Sequence, residues 1–161
     1  MPSRSNLFFA TVTVIVLGGL AAAYINVIEG GGANTTVFAD PDNAEMVARG
    51  QTLYTKNCAE CHGGNLEGQP NWQIKKADGV FPAPPHDATG HTWHHGDQVL
   101  FNVTKRGGQA GAPKGFTSGM PAFGETLSDD DILATLAYIK SRWPKEIRKR
   151  QAMMSAKMAA Q

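Results

Sequence analysis

Cys58-Ala59-Glu60-Cys61-His62 places two thiols and an imidazole within five consecutive residues. On one helical turn, thiols at that spacing reach the two vinyl groups of a haem and form thioethers, and the next residue aims its imidazole at the iron. C-x-x-C-H is the c-type haem attachment pattern, so Cys58 and Cys61 are candidate thioether positions. His62 is the candidate axial ligand of one covalently bound haem c. Other uses of the thiols fit less well. A thioredoxin-like pair needs a strand-helix-strand setting, and a four-cysteine zinc site needs a second pair that a chain with 2 Cys lacks.

The surrounding pattern is helical and irregular. Asn43 is an N-cap signal for a helix running into Cys58, with Met46, Val47, Gly50, Leu53 and Tyr54 along one face. From Gly63 to Gly96 the chain is rich in Gly and Pro and has neither helical nor strand periodicity, the signature of a long functional loop. Asp97 reads as the cap of a short helix, Asp97 to Arg106, ended by Gly107-Gly108, with Val99, Leu100 and Val103 facing inward. Ser128 caps a further helix whose first turn holds Asp129, Asp130 and Asp131, where the helix dipole favours acids. Ile132, Leu133, Leu136 and Ile139 form its apolar face, and Trp143-Pro144 ends or kinks it. Neither a repeat nor a strand is indicated. Three short helices and long loops make a poor core for their length, so something else must fill the middle.

Residues 44–143 resemble a class I cytochrome c domain. The matching residues are Gly50, Tyr54, Cys58-x-x-Cys61-His62, Gly119-Met120-Pro121-Ala122-Phe123, and the closing run from Leu127-Ser128 through Tyr138-Ile139-Lys140. The resemblance implies an all-α cytochrome c fold: three short core helices and long loops around one covalent haem, the first and last helices crossing at Gly50 beside an aromatic contact from Tyr54 or Tyr138. It also implies Met120 as the second axial ligand. A soft thioether favours Fe(II), raises the potential and closes the iron to outside ligands, which suits an electron carrier. Met46, Met153, Met154 and Met158 lie on helical segments and are poorer candidates. In this family a proline carbonyl holds the proximal imidazole, and Pro84 and Pro85 are both candidates. Asn71, Trp72, Trp93 and Gln98 are candidate partners of the haem propionates.

His86, His91, His94 and His95 fall within ten residues beside Trp93. Three readings are open: a polar loop at the haem edge, a second metal site for copper or zinc, or replacement of Met120 by one of these imidazoles.

The chain has 161 residues and 42% apolar residues, enough for one small core. Its formal charge of +1 argues against nucleic acid as a partner. Residues 1–39, 40–143 and 144–161 carry 0, −3 and +4. The residues from Ser5 to Ile28 are uncharged, and Leu7 to Ile28 would span ~33 Å as a helix, the thickness of a bilayer core. That length favours an uncleaved anchor. Small residues at Ala21 and Ala23, and at Val37 and Ala39, would serve a leader-processing alternative. Arg4 before the span and Glu29 after it place the amino end in the cytoplasm and the remainder outside.

The expected organisation is therefore a transmembrane signal-anchor (1–28), a flexible linker (29–43), a haem domain (44–143) and a basic helical tail (144–161) that lies on lipid, docks on a partner or is solvated. The expected role is single-electron transfer on the periplasmic face of a bacterial inner membrane, with no catalytic residues. The expected partners are a quinol-oxidising complex, a dehydrogenase or a terminal oxidase. The competing roles are a haem subunit of a larger oxidoreductase and a copper-binding protein using His86 to His95.

Overall fold

Residues 38–160 are described here from a computed structural model. The side chain of Asn43 accepts from the Met46 N–H at 3.0 Å and opens α1 (Ala44–Asn57), satisfying a donor that the first turn cannot use. A single turn, α2 (Ala59–His62), then carries Cys61 and the histidine. The long Gly/Pro segment leads to a 3-10 turn (Thr92–His94) and into α3 (Asp97–Arg106). α3 stops at Gly107, whose φ of 85° is a conformation that glycine adopts without strain. Ser128 and Asp131 form a reciprocal capping box at the start of α4 (Asp129–Ser141). α5 (Lys145–Ala159) follows Pro144. The described residues contain no strand, and the predicted helix signals at Asn43, Gly107 and Ser128 stand where the helices begin and end.

α1 and α4 cross at Gly50, where a Cβ would lie 1.9 Å from the backbone oxygen of Ala134. Only glycine permits that approach, and Tyr54 packs beside it on Tyr138 with ring centroids 5.4 Å apart. Both the crossing and its aromatic contact are those the resemblance implied. α4 is buried nearly all round because α1 packs on one side and α3 on another.

Two expectations about α3 are corrected. Gly96 is the N-cap, and Asp97, the first helical residue, turns its carboxylate into the interior. Lys140 of α4 holds it there with N···O distances of 2.8 and 2.9 Å, and both side chains are buried. Gln151 of α5 donates to the same carboxylate at 2.6 Å and the Ala39 N–H at 3.0 Å. A buried charge is tolerated when its lone pairs are all used, as they are here. The inward stripe of α3 is accordingly Asp97, Leu100, Phe101 and Thr104, with Val99 and Val103 half-buried.

The packed unit also starts earlier and ends later than the 44–143 boundaries. Ala39, expected in the linker, is fully buried by its bond to Asp97. Within the basic tail, Gln151 is buried, Ile147 packs on the core, and Ser155 donates to Asp97 at 3.2 Å. Among the described residues no helix is long and apolar enough to cross a membrane. The expected anchor (1–28) and most of the linker lie outside the described residues.

Candidate functional site

His62 is buried, and its Nδ1 lies 2.8 Å from the carbonyl oxygen of Pro84. A carbonyl only accepts, so Nδ1 carries the proton and Nε2 keeps a free lone pair, the tautomer that binds a metal. Burial lowers the pKa of the ring and the Pro84 bond opposes that only in part, so neutral imidazole is favoured. Of the two candidate prolines, Pro84 takes this role. The Pro85 carbonyl instead accepts from the Thr92 hydroxyl at 3.4 Å.

The prolines are fixed by glycines that admit close backbone contact. A Cβ on Gly90 would lie 2.0 Å from the Pro85 oxygen, and one on Gly68, whose φ is 68°, would lie 2.4 Å from the Pro85 nitrogen. Leu66, itself left-handed at φ 73°, turns its carbonyl to accept from the N–H groups of His86 and Asp87 at 2.7 and 3.2 Å. The Gly68 N–H donates to the His62 carbonyl at 2.7 Å, and the Gln69 N–H to Ala83 at 2.9 Å. Segment 63–69 thereby ties the histidine turn to the proline pair.

The four loop histidines are not brought together. The His86 ring stacks on His62, with centroids 3.9 Å apart and planes at 20°, and its Nδ1 lies 2.8 Å from Thr92 Oγ1. Imidazoles binding opposite faces of one iron would have the metal between them, and rings in van der Waals contact leave no room for it. His86 is therefore not a replacement for Met120. Burial, then the neighbouring His62 and His91, holds its pKa well below the ordinary histidine value. His91 lies on Trp72, centroids 5.4 Å apart at 14°, and His94 lies on Trp93 at 3.7 Å. His91 and His95 approach to 5.7 Å, and burial lowers both their pKa values. Among the described residues no group of three or more His, Cys, Asp or Glu side chains could hold a metal ion.

Met120 sits half-buried in the loop that follows α3. Its carbonyl accepts from the Gly108 N–H at 3.1 Å and its own N–H donates to Ser118 Oγ at 3.2 Å. The N–H groups of Phe123 and Gly124 cap the last carbonyls of α3, at Thr104 and Lys105, at 3.1 and 3.0 Å.

The cytochrome c family matches residues 47–143, from the first turn of α1 to the end of α4 and Trp143. The chain belongs to the cytochrome c family. This cytochrome c is 31% identical over 97 residues to the cbb3-type cytochrome c oxidase subunit CcoP of Azospirillum brasilense, covering 60% of this chain and 28% of that subunit. It is 33% identical over 98 residues to CcoP of Azospirillum sp. (strain B510), covering 60% and 29%. Cytochrome c6 of Picosynechococcus sp. is 31% identical over 109 residues, covering 66% of this chain and 82% of that protein. The chain thus spans less than a third of the length of the two CcoP relatives. No solved structure matches at comparable significance.

A cytochrome c domain implies covalent haem c, and the donor set fits it. Cys58 and Cys61 are not joined in a disulfide; Cys58 is half-buried and Cys61 exposed. Burial, with Cys61 adding to it, pushes the Cys58 thiol up to about 11. Both sulfurs stand free within a turn of an imidazole whose Nδ1 is committed to Pro84 and whose Nε2 is left to bind. Of the propionate candidates, Asn71 and Gln98 are exposed and Trp72 is engaged with His91. Trp93 has a buried Nε1 with no partner in the protein and lies under Arg150, 6.0 Å from its ring centroid.

Sequence reasoning missed Thr92, which anchors His86, and Trp143, whose Nε1 donates to the His86 carbonyl at 2.7 Å. It read Trp143 only as the end of a helix. Trp143 finds its partner 57 residues away, and Thr92 meets His86 and Pro85 only through the fold of a loop without periodicity.

Proposed function

We propose that this cytochrome c shuttles single electrons in a bacterial respiratory chain, between a reductase or dehydrogenase and an oxidase. Cys58 and Cys61 would hold the macrocycle, and His62 and Met120 would ligate its iron. The observation that carries this reading is the bond from His62 Nδ1 to Pro84, which fixes the ligating tautomer one residue after the second thiol. Bound haem supplies a one-electron Fe(III)/Fe(II) couple there. The chain orients the imidazole, excludes water behind it through the stacked His86, and presents a thioether from the loop docked on α3. No side chain moves a proton.

Support for the setting comes from the apolar run Leu7 to Ile28, which would tether the domain to the inner membrane with the haem domain in the periplasm. Tethering raises the effective concentration of a carrier beside membrane-bound partners. The −3 charge on residues 40–143 fits a partner with a basic patch and an association weakened by salt.

Optical spectra of membrane-extracted protein, oxidised and reduced, with and without carbon monoxide, test the axial pair. The expected result is low-spin haem c with the weak far-red methionine-to-iron band and no response to carbon monoxide. Met120→Ala should abolish that band and admit carbon monoxide. High-spin or carbon-monoxide-reactive wild-type protein overturns the carrier reading. The two CcoP relatives favour a second reading, a haem-c subunit of a larger oxidoreductase. Purification in mild detergent separates the two: a stable stoichiometric complex with a catalytic partner supports the subunit, and a lone chain supports the shuttle.

A further inference from the structure

We propose that His86 is a positioning residue for the axial imidazole: it fixes the plane of the His62 ring, shields the bond to Pro84 from water, and thereby sets the haem's electronic symmetry and potential. The inference rests on iron ligation by His62 as proposed above. A hydrogen bond at Nδ1 restrains one edge of a ring and leaves it free to tilt about the N···O line. A second flat surface packed parallel to the ring removes that freedom, and His86 supplies it at 3.9 Å and 20°.

His86 is itself held on every side. Its N–H donates to Leu66 at 2.7 Å, its carbonyl accepts from Trp143 Nε1 at 2.7 Å, and the Tyr54 ring meets it edge-on at 6.4 Å. Thr92 donates its hydroxyl to the Pro85 carbonyl, so Thr92 Oγ1 accepts from His86 Nδ1–H at 2.8 Å. The two imidazoles are thus anchored to consecutive proline carbonyls, His62 directly on Pro84 and His86 through Thr92 on Pro85. A leucine would fill the same space without a flat face. A phenylalanine would offer the face without the edge bond that stops its rotation.

The test uses the full haem-loaded chain with His86→Leu, His86→Phe and Thr92→Val. The readouts are ferric electron paramagnetic resonance, midpoint potential, and solvent exchange of the His62 Nδ1 proton by NMR. His86→Leu should change the g anisotropy, lower the potential as water reaches the imidazole, and speed proton exchange on the order of tenfold, as expected when the support of a metal-bound histidine is lost. His86→Phe should restore g values close to wild type, and Thr92→Val should shift all three readouts in the same direction by less. Folded His86→Leu protein with wild-type g values, potential and exchange overturns the proposal. If His86→Leu does not fold or load haem, Thr92→Val decides: the smaller shifts support the proposal and wild-type values overturn it. Wild-type protein without low-spin haem overturns the ligation reading and this proposal together. Low-spin wild-type protein with indifferent variants overturns this proposal alone.

Discussion

The segment 82–95 behind His62 and the segment 107–123 that carries Met120 are held by different means. The first is walled by glycines whose missing side chains would strike backbone, at Gly68 and Gly90, and is bonded to Leu66 and Trp143 from other parts of the chain, with Thr92 tying His86 from within. The second is held largely by its own residues: Gln109 bonds Phe116 and Ser118 at 3.2 and 3.0 Å, and Ser118 bonds Met120. Most of it is exposed. Backbone bonds that are local and solvent-facing open at low free energy, whereas buried nonlocal ones open only near global unfolding. In this cytochrome c the methionine segment is expected to yield first and the histidine wall last.

Four perturbations bear on that contrast. The wall leans on the α3–α4–α5 junction through Trp143, which follows Lys140 by three residues. Lys140→Met leaves the Asp97 charge buried and uncompensated and should cost about 3–5 kcal/mol in urea denaturation. Gly90→Ala should cost about 3 kcal/mol, since its Cβ meets the Pro85 oxygen and backbone cannot step aside. Gly108→Ala is the matched change in the methionine segment, where a Cβ meets chiefly the Ser118 hydroxyl at 2.1 Å. That side chain can rotate away, so the cost should be about 1 kcal/mol. Equal costs at Gly90 and Gly108 would break the comparison.

The smallest effect concerns the exit of the methionine segment into α4. The Ser128 hydroxyl, foremost, with Arg49 adding to it, holds the Asp131 carboxyl below the usual carboxylate range. A depressed carboxylate pKa stabilises the fold above the unfolded value, and that contribution is lost as pH falls through the folded one. Ser128→Ala should therefore cost about 1 kcal/mol at neutral pH as a lost cap, and the gap to wild type should narrow below about pH 4. A gap that does not change with pH would leave capping alone as the cause.

The contrast also explains what could be read from the chain beforehand. Local signals were legible: the caps at Asn43 and Ser128, the stop at Gly107, the C-x-x-C-H run and the glycine at the α1–α4 crossing all act within a few residues or through a demand that only glycine meets. Asp97 was misread because its local environment, the start of a helix, offers a cap, while its partner Lys140 lies 43 residues away. The choice of Pro84 over Pro85 turned on the same kind of information, since it depends on how Gly68 and Gly90 press the pair against His62. The four histidines look alike as a cluster, and only tertiary packing separates His86, stacked behind His62, from His91, His94 and His95 along the surface aromatics.

Ala39 hydrogen-bonds the carboxylate that Lys140 and Gln151 also grip. In mechanical terms, a load applied at Phe38 is delivered to the junction of α3, α4 and α5. It bypasses α1 and α2, which bear the cysteines and His62. The bond at Ala39 therefore anchors the start of the described chain to the helix junction and not to the turn that bears Cys61 and His62.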